Sequence, residues 1–157
     1  MDLCFHAIIG ESLSNGGKNM AKQVYINLPV KDLQKSTEFY QALGFTKNDI
    51  FSNDKASGME WSDDIIVMLV THDFYKTFIP GKQIIDGFTA SGVLLALSLD
   101  SKAAVQEFAD TAKTNGGDYF KVEYGISEDM MFGYEVLDLD GNQWEPVWMS
   151  TNFTPES

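Results

Sequence analysis

Glu145 is the residue of this chain best suited to chemistry. It lies in the run Gln143–Met149, QWEPVWM, whose alternation is typical of a strand with successive side chains on opposite faces. Its carboxylate therefore lies on the face opposite Trp144 and Trp148. If the tryptophans pack on a core, Glu145 can act as a general base or accept hydrogen bonds from a ligand. A carboxylate that is paired or solvated at the edge of a pocket explains the pattern equally well.

A predicted hairpin positions Glu145. The runs Phe132–Leu139 and Gln143–Met149 flank the turn sequence Asp140-Gly141-Asn142. An Asp-Gly step between two β-forming runs predicts a type I′ turn, because both central residues of that turn need positive φ. Gln143 lies two residues before Glu145 and shares its face of the strand.

The hairpin completes the second of two similar modules. Each module is predicted to contain a strand, a helix and three further strands, with a capping side chain before the helix: Asp32 in the first and Ser101 in the second. The predicted strands lie at 24–30, 45–51, 58–61, 64–71, 93–99, 119–124, 132–139 and 143–149, and the module helices at 33–43 and 103–113. The shared order of elements indicates an internal duplication.

A connector joins the modules and begins with a short predicted helix. Phe74, Tyr75 and Phe78 share helical spacing there, and they either pack on the sheet or cover a pocket. We predict module 1 over about 22–72, the connector over about 73–91 and module 2 over about 92–150, within one domain from 20 to 157. Residues 1–19 are predicted to be a loosely attached extension.

The pattern predicts an α+β fold in which the two βαβββ modules form a curved, cup-like mixed sheet with the helices outside. The open face of such a cup can bury a ligand. Strand alternation places five ligand-binding candidates on this face: Tyr25, Asn27, Met68, Leu94 and Gln143. Tyr25 and Asn27 either hydrogen-bond a ligand or are ordinary strand residues whose polar tips lie in water.

Composition excludes several classes of partner. The net charge of −12 and the pI near 4.3 argue against binding to nucleic acid or to acidic membranes, since both need a cationic surface. No apolar run approaches the roughly 20 residues of a membrane-spanning helix. The single cysteine, Cys4, cannot form an intrachain disulfide, so a reducing, cytoplasmic location is predicted.

The sequence resembles the vicinal oxygen chelate superfamily, which contains glyoxalase I, extradiol dioxygenases and the fosfomycin and bleomycin resistance proteins. Three motifs carry the resemblance, which spans about 22–149: V-x-D at Val30 and Asp32, the block Phe39-Tyr40…Leu43-Gly44-Phe45, and the D-x-D-G-N-x-x-E run that ends at Glu145. The chain looks most like the branch labelled lactoylglutathione-lyase-like.

The resemblance also implies where a metal would be held. In the superfamily's enzymes the first and last strands of each module supply His, Gln or Glu ligands. The matching positions here are Tyr25, Met68, Leu94 and Glu145, and only Glu145 is a suitable ligand. A hard divalent ion needs several oxygen or imidazole ligands. We therefore expect no tightly bound divalent metal, and no other cofactor is predicted.

Two functions remain open from the sequence. The first is an enzyme, lyase- or dioxygenase-like, that acts on a small and partly apolar metabolite. The second is a metal-free protein that binds and sequesters a drug or metabolite, for which the acidic charge suits a cationic ligand. The predicted partners are a small-molecule ligand and a second copy of the chain in a homodimer, because the cup leaves sheet edges exposed.

Overall fold

The structure is a computed structural model that describes residues 22–151; the predicted extension at 1–19 lies outside them. The first half of the described chain contains β1 (Val24–Val30), α1 (Leu33–Ala42), β2 (Thr46–Asn48), β3 (Ala56–Ser62), β4 (Ile65–Thr71) and α2 (His72–Lys76). The second half contains β5 (Leu94–Ser98), α3 (Lys102–Thr114), β6 (Asp118–Phe120), β7 (Met131–Gly133), β8 (Glu135–Leu137) and β9 (Gln143–Met149).

Both module helices begin at the predicted capping residues. The Asp32 side chain accepts a hydrogen bond from the Lys35 N–H at 3.1 Å, and the Ser101 hydroxyl accepts one from the Ala104 N–H at 3.1 Å. Each bond satisfies a backbone donor that the first helical turn leaves without a partner. Gly44 follows α1 with φ +96°, a conformation that side-chain-bearing residues rarely adopt.

The two halves form two mixed sheets of matching topology. The first sheet has the order β1-β4-β3-β2, and the second has the order β5-β9-β8-β6 with β7 also paired to β9. In each, the first strand is parallel to the last strand of its module, whereas the other pairs are antiparallel. This repeat confirms the predicted α+β fold of two βαβββ modules. The described chain divides into two compact units between Ile84 and Ile85, inside the predicted connector.

A helix covers one face of each sheet. In the first unit, Met59, Val67 and Leu69 are fully buried on the face that carries α1, whose Phe39 and Tyr40 are also buried. In the second unit, Trp144 and Val136 occupy the face that carries α3, which buries Val105, Ala109 and Ala112. Apolar side chains of strand and helix thus form a core in each unit. The opposite face of each sheet is not covered by that helix.

Four local predictions were wrong. The strand expected at 132–139 is divided at Tyr134 into β7 and β8 and ends at Leu137. The strand expected at 45–51 ends at Asn48, because Asn48 accepts a side-chain hydrogen bond from the Ile50 N–H and starts a 3₁₀ helix over Asp49–Phe51. The strand expected at 119–124 ends at Phe120. The hairpin exists, but its connection is longer than a two-residue type I′ turn, since β8 ends at Leu137 and β9 begins at Gln143.

Candidate functional site

Two carboxylates face each other on the sheet of the second unit. The pairings Gly133↔Val147 in β7–β9 and Val136↔Trp144 in β8–β9 follow a single register. That register sets Glu135 directly opposite Glu145, with both side chains on the face away from α3. We call Glu135 and Glu145 the carboxylate pair.

Two donors surround the carboxylate pair. The Gln143 side-chain amide donates to Oε2 of Glu135 at 2.8 Å, and the Tyr124 hydroxyl donates to Oε1 of Glu135 at 3.0 Å. Tyr124 also lies near Glu145, whose carboxylate contributes to the shift of the tyrosine pKa. Burial, the hydrogen bond to Glu135 and the nearby carboxylate of Glu145 raise the pKa of Tyr124 well above its usual value, so that its hydroxyl stays protonated.

Glu135 and Glu145 differ in their surroundings. Glu135 is 4% exposed and accepts a hydrogen bond at each carboxylate oxygen. Glu145 is half-buried, and the Tyr124 hydroxyl, which donates to Glu135, lies near it. A carboxylate has about four lone-pair sites, so Glu145 keeps the greater capacity to accept hydrogen bonds from a bound molecule.

Exposed apolar side chains flank the carboxylate pair. Phe120 is paired with Glu135 across β6–β8 and is 46% exposed. Leu94 is paired with Gln143 across β5–β9 and is 49% exposed. Ala96, beside Glu145, adds no bulk. This face therefore offers a negative centre between two accessible hydrocarbon surfaces.

Tyr124 reaches the carboxylate pair from an irregular segment, Lys121–Met130, that connects β6 to β7. Gly125 has φ +70° and turns the chain directly after the tyrosine. One ion pair lies within the segment, between Lys121 and Glu128, and another joins it to α3, between Lys102 and Asp129 at 2.8 Å. Tyr124 is thus positioned by its segment and not by a strand.

The connection between β8 and β9 fixes the register of the pair. The buried Asp138 carboxylate accepts hydrogen bonds from the Asp140 N–H at 2.9 Å, the Asn142 N–H at 2.8 Å and the Asn142 side-chain amide at 2.9 Å. The Gly141 N–H donates to the Asp138 carbonyl oxygen at 3.2 Å, which closes a turn centred on residues 139 and 140. These bonds stabilise the five-residue connection that sets Glu135 opposite Glu145.

The predicted residues of the first unit lie in a different environment. Met68 is 1% exposed, in a cluster with Ile66 and Val70, and in this structure it offers no accessible surface to a ligand. Tyr25, Phe51, Phe74 and Tyr75 pack against this cluster. The aromatic residues Phe74 and Tyr75 of the connector therefore pack on the sheet, which is the first of the two arrangements that their spacing left open.

The polar tips on this sheet have local roles. The Tyr25 hydroxyl donates to Oε1 of Gln23 at 3.0 Å, and its ring meets that of Phe51 edge-on at 6.2 Å. Asn27 is exposed and pairs with Met68 in the β1–β4 register. Of the predicted site residues, the structure therefore brings Leu94, Gln143 and Glu145 together in one unit and Tyr25, Asn27 and Met68 together in the other.

The residues at the superfamily's metal positions do not fit a divalent ion. Leu94 has no donor atom, and the thioether of Met68 is buried and too soft a ligand for Mg²⁺ or Mn²⁺. Among residues 22–151, no group of three or more His, Cys, Asp or Glu side chains could hold a metal ion. The chemistry of the sheet face that carries Glu135 and Glu145 is therefore derived from the side chains of that face.

Sequence reasoning missed Glu135 and Tyr124. A type I′ turn centred on Asp140-Gly141 would have paired Glu145 with Val136, one position away, and a one-residue shift moves every side chain to the other face. The side chain of Asp138, which closes the longer connection, was the signal that could have corrected the register. Tyr124 lies in a segment without hydrophobic periodicity, so no local sequence pattern indicated that it belongs to the site.

The fold and the site define a class of protein. Residues 22–60 match the family model described as bleomycin resistance protein-like N-terminal. The topology of both modules is the fold that the predicted resemblance to the vicinal oxygen chelate superfamily implies, and the family match is confined to residues 22–60. No curated protein matches the chain, and the lactoylglutathione-lyase-like branch stays a prediction.

Solved structures of similar fold span most of the chain. A hypothetical protein from S. aureus is 25% identical, with 83% of this chain and 95% of that chain covered and a TM-score of 0.66. A glyoxalase/bleomycin resistance protein/dioxygenase family enzyme from Burkholderia phytofirmans PsJN is 19% identical, with 83% and 100% covered and a TM-score of 0.66. A bleomycin-binding protein complexed with bleomycin is 22% identical, with 83% and 100% covered and a TM-score of 0.55.

No helix within the described residues combines the length and the apolar character needed to cross a membrane.

Proposed function

We propose that this chain is a metal-free binding protein for a small organic cation, which it holds at the carboxylate pair. The observation that carries the proposal is the placement of Glu135 opposite Glu145 between the exposed side chains of Phe120 and Leu94. An ammonium or guanidinium group between the carboxylates would offset their mutual repulsion. It would also form charge-assisted hydrogen bonds, which are stronger than neutral ones.

The apolar flanks favour a ligand with a hydrocarbon or aromatic part. Phe120 and Leu94 would lose exposed surface to such a ligand, and each Å² of buried apolar surface contributes about 25 cal/mol. The net charge of −12 would also raise the local concentration of cations and their association rate. The similar fold of a bleomycin-binding protein supports small-molecule binding as the general role.

Leu94, Gln143 and Glu145 belong to this proposed site, together with Glu135 and Tyr124. Gln143 is assigned a positioning role, because its amide holds Glu135. Tyr25, Asn27 and Met68 remain predictions as ligand-binding residues.

Titration with a cation and its neutral analogue tests this proposal. Benzylammonium should shift backbone amide resonances of β5, β8 and β9 in a saturable way, whereas benzyl alcohol at the same concentrations should not. Equal shifts with both compounds would show that the apolar surface alone binds them. The absence of saturable shifts with benzylammonium would overturn the proposal.

An enzyme of the lactoylglutathione-lyase-like kind is the second candidate. The observation in its favour is that the protonated Tyr124 hydroxyl lies near Glu145, which places a proton donor close to an acceptor. Lactoylglutathione is the compound that the name of this branch suggests for an activity assay. Turnover that Glu145→Gln abolishes would support the enzyme, and no turnover with intact cation binding would support the binding protein.

We further propose a cytoplasmic homodimer. β1 and β2 form the outer strands of the first sheet, and outer strands present unpaired backbone groups that a second copy can cover. Light scattering should then give twice the mass of the chain at micromolar concentration. A monomer at all dilutions would refute the dimer, and cell fractionation tests the location.

A further inference from the structure

We propose that Tyr124 is the residue that controls access to the carboxylate pair, and that Lys121–Met130 is a strap that carries it on and off this face. The inference rests on the proposed cation-binding function. Its structural basis is that one side chain, from a segment outside the sheet, donates a hydrogen bond to Glu135 at 3.0 Å and lies near Glu145.

The chemistry of the hydroxyl makes Tyr124 a competitor of the ligand. A phenol has one proton to donate, and here it is directed at Oε1 of Glu135 at 3.0 Å. An ammonium group that enters between the carboxylates needs the same acceptor. Tyr124 must therefore leave Glu135 before a cation can contact both carboxylates, whereas a cation that contacts Glu145 alone can bind with Tyr124 in place.

The exposed side chains and few contacts of the strap allow it to open locally. Lys121, Val122 and Glu123 are exposed, and the segment from 121 to 126 forms no regular secondary structure. The Lys102–Asp129 pair joins it to α3, and the Lys121–Glu128 pair links two of its own residues. The Asp129 side chain is 91% exposed, so water and salt weaken that pair. Segments with exposed and sparse contacts are the ones that open locally.

The two lysines of these ion pairs also contact aromatic rings. Lys121 Nζ lies 5.2 Å from the Phe132 ring centroid, and Lys102 Nζ lies 5.4 Å from that of Trp148. Phe132 and Trp148 are paired across β7–β9, and both rings lie on the face of the sheet that carries α3, opposite the carboxylate pair. The start of the strap is therefore fixed on β7 through Lys121, whereas its attachment to α3 through Asp129 is the part that detaches.

The first experiment measures access without a ligand. A water-soluble carbodiimide and glycine ethyl ester label accessible carboxylates, and mass spectrometry locates the label. Labelling of Glu135 should rise several-fold in Tyr124→Phe and in the double variant Glu128→Gln/Asp129→Asn. Tyr119→Phe is the matched control, because its hydroxyl donates to Asp110 on α3, and it should leave Glu135 labelling unchanged. Unchanged labelling in both strap variants would overturn the proposal.

The second experiment adds benzylammonium and measures its dissociation constant by calorimetry. Both strap variants should bind it several-fold more tightly than the wild-type chain, and Tyr119→Phe should not. Weaker binding by Tyr124→Phe would overturn the proposal, since Tyr124 would then support the ligand. If labelling responds as expected but no variant binds benzylammonium, the strap stands and the proposed function fails.

Discussion

Glu135 lies directly opposite Glu145 in the antiparallel ladder of the second unit, in the register set by Val136↔Trp144. Like charges directly opposite each other in a sheet destabilise it. Gln143 and Tyr124 donate to Glu135 and partly offset this repulsion. The arrangement therefore keeps two negative charges together at a position where folding alone would not favour them, as is common at binding sites.

The first prediction concerns the charge of each member of the pair. Glu145→Gln should raise the free energy of unfolding by about 0.2–1 kcal/mol, because it removes the repulsion. Glu135→Gln should lower it by about 1 kcal/mol, because an amide cannot accept at both of its ends. Urea unfolding at neutral pH measures both values. Destabilisation by Glu145→Gln of more than 1 kcal/mol would show that Glu145 belongs to a structural pair.

The second prediction concerns the close approach of Gly87 to Gly141. A Cβ atom on Gly87 would lie 2.7 Å from the Asp140 carbonyl oxygen, and one on Gly141 would lie 2.5 Å from the Gly87 carbonyl carbon. Gly87→Ala should therefore lower the free energy of unfolding by about 1–3 kcal/mol, since backbone must move. Gly92→Ala is the control, because its Cβ would meet only the Ile85 side chain, at 3.5 Å. Equal effects of the two substitutions would contradict the contact.

The third prediction concerns the connection between β8 and β9. Asp138→Ala leaves the N–H groups of Asp140 and Asn142 without their acceptor and should lower the free energy of unfolding by about 1–3 kcal/mol. It should also weaken cation binding, because the register of Glu135 against Glu145 depends on this turn. Glu107→Ala, on the exposed face of α3, should change neither quantity. If Asp138→Ala retains full binding, the strands set the register without the turn.

The fourth prediction concerns alkaline pH. The pKa of Tyr124 is raised in the folded chain, so the native state holds its proton more tightly than the unfolded state does. The resulting stabilisation is complete below the unfolded tyrosine pKa of about 10 and is lost as the pH rises through the folded value. The urea midpoint of the wild-type chain should thus fall more steeply above pH 10 than that of Tyr124→Phe. Parallel curves would mean that Tyr124 does not face the two carboxylates.

The fold was predictable because its signals are local. Asp32 and Ser101 cap the helices where the sequence placed them, and alternation separated Glu145 from Trp144 in β9. The partner of Glu145 was not predictable, because it depends on the length of a turn. A side-chain carboxylate at Asp138 overrode the preference of Asp-Gly for a two-residue connection, and the register moved by one position.

The environment of Met68 also depended on tertiary contacts. Alternation correctly predicted that Met68 shares a face with Tyr25 and Asn27. It did not predict that the aromatic residues Phe51 and Phe74 pack against the cluster that contains Met68. Phe51 reaches this face because Asn48 ends β2 and starts a 3₁₀ helix. Gly58 makes room for it, since a Cβ there would lie 2.7 Å from that of Phe51. Periodicity gives the face of a side chain and not what covers it.

The most direct test of the account is the affinity of benzylammonium for charge variants of the pair, measured by calorimetry at constant ionic strength. Glu145→Gln and the double variant Glu135→Gln/Glu145→Gln should lose affinity by tenfold or more, whereas Glu107→Gln, which changes the net charge equally, should bind as the wild-type chain does. Equal losses in Glu107→Gln and Glu145→Gln would show that benzylammonium responds only to overall charge, and would contradict a binding site at Glu135 and Glu145.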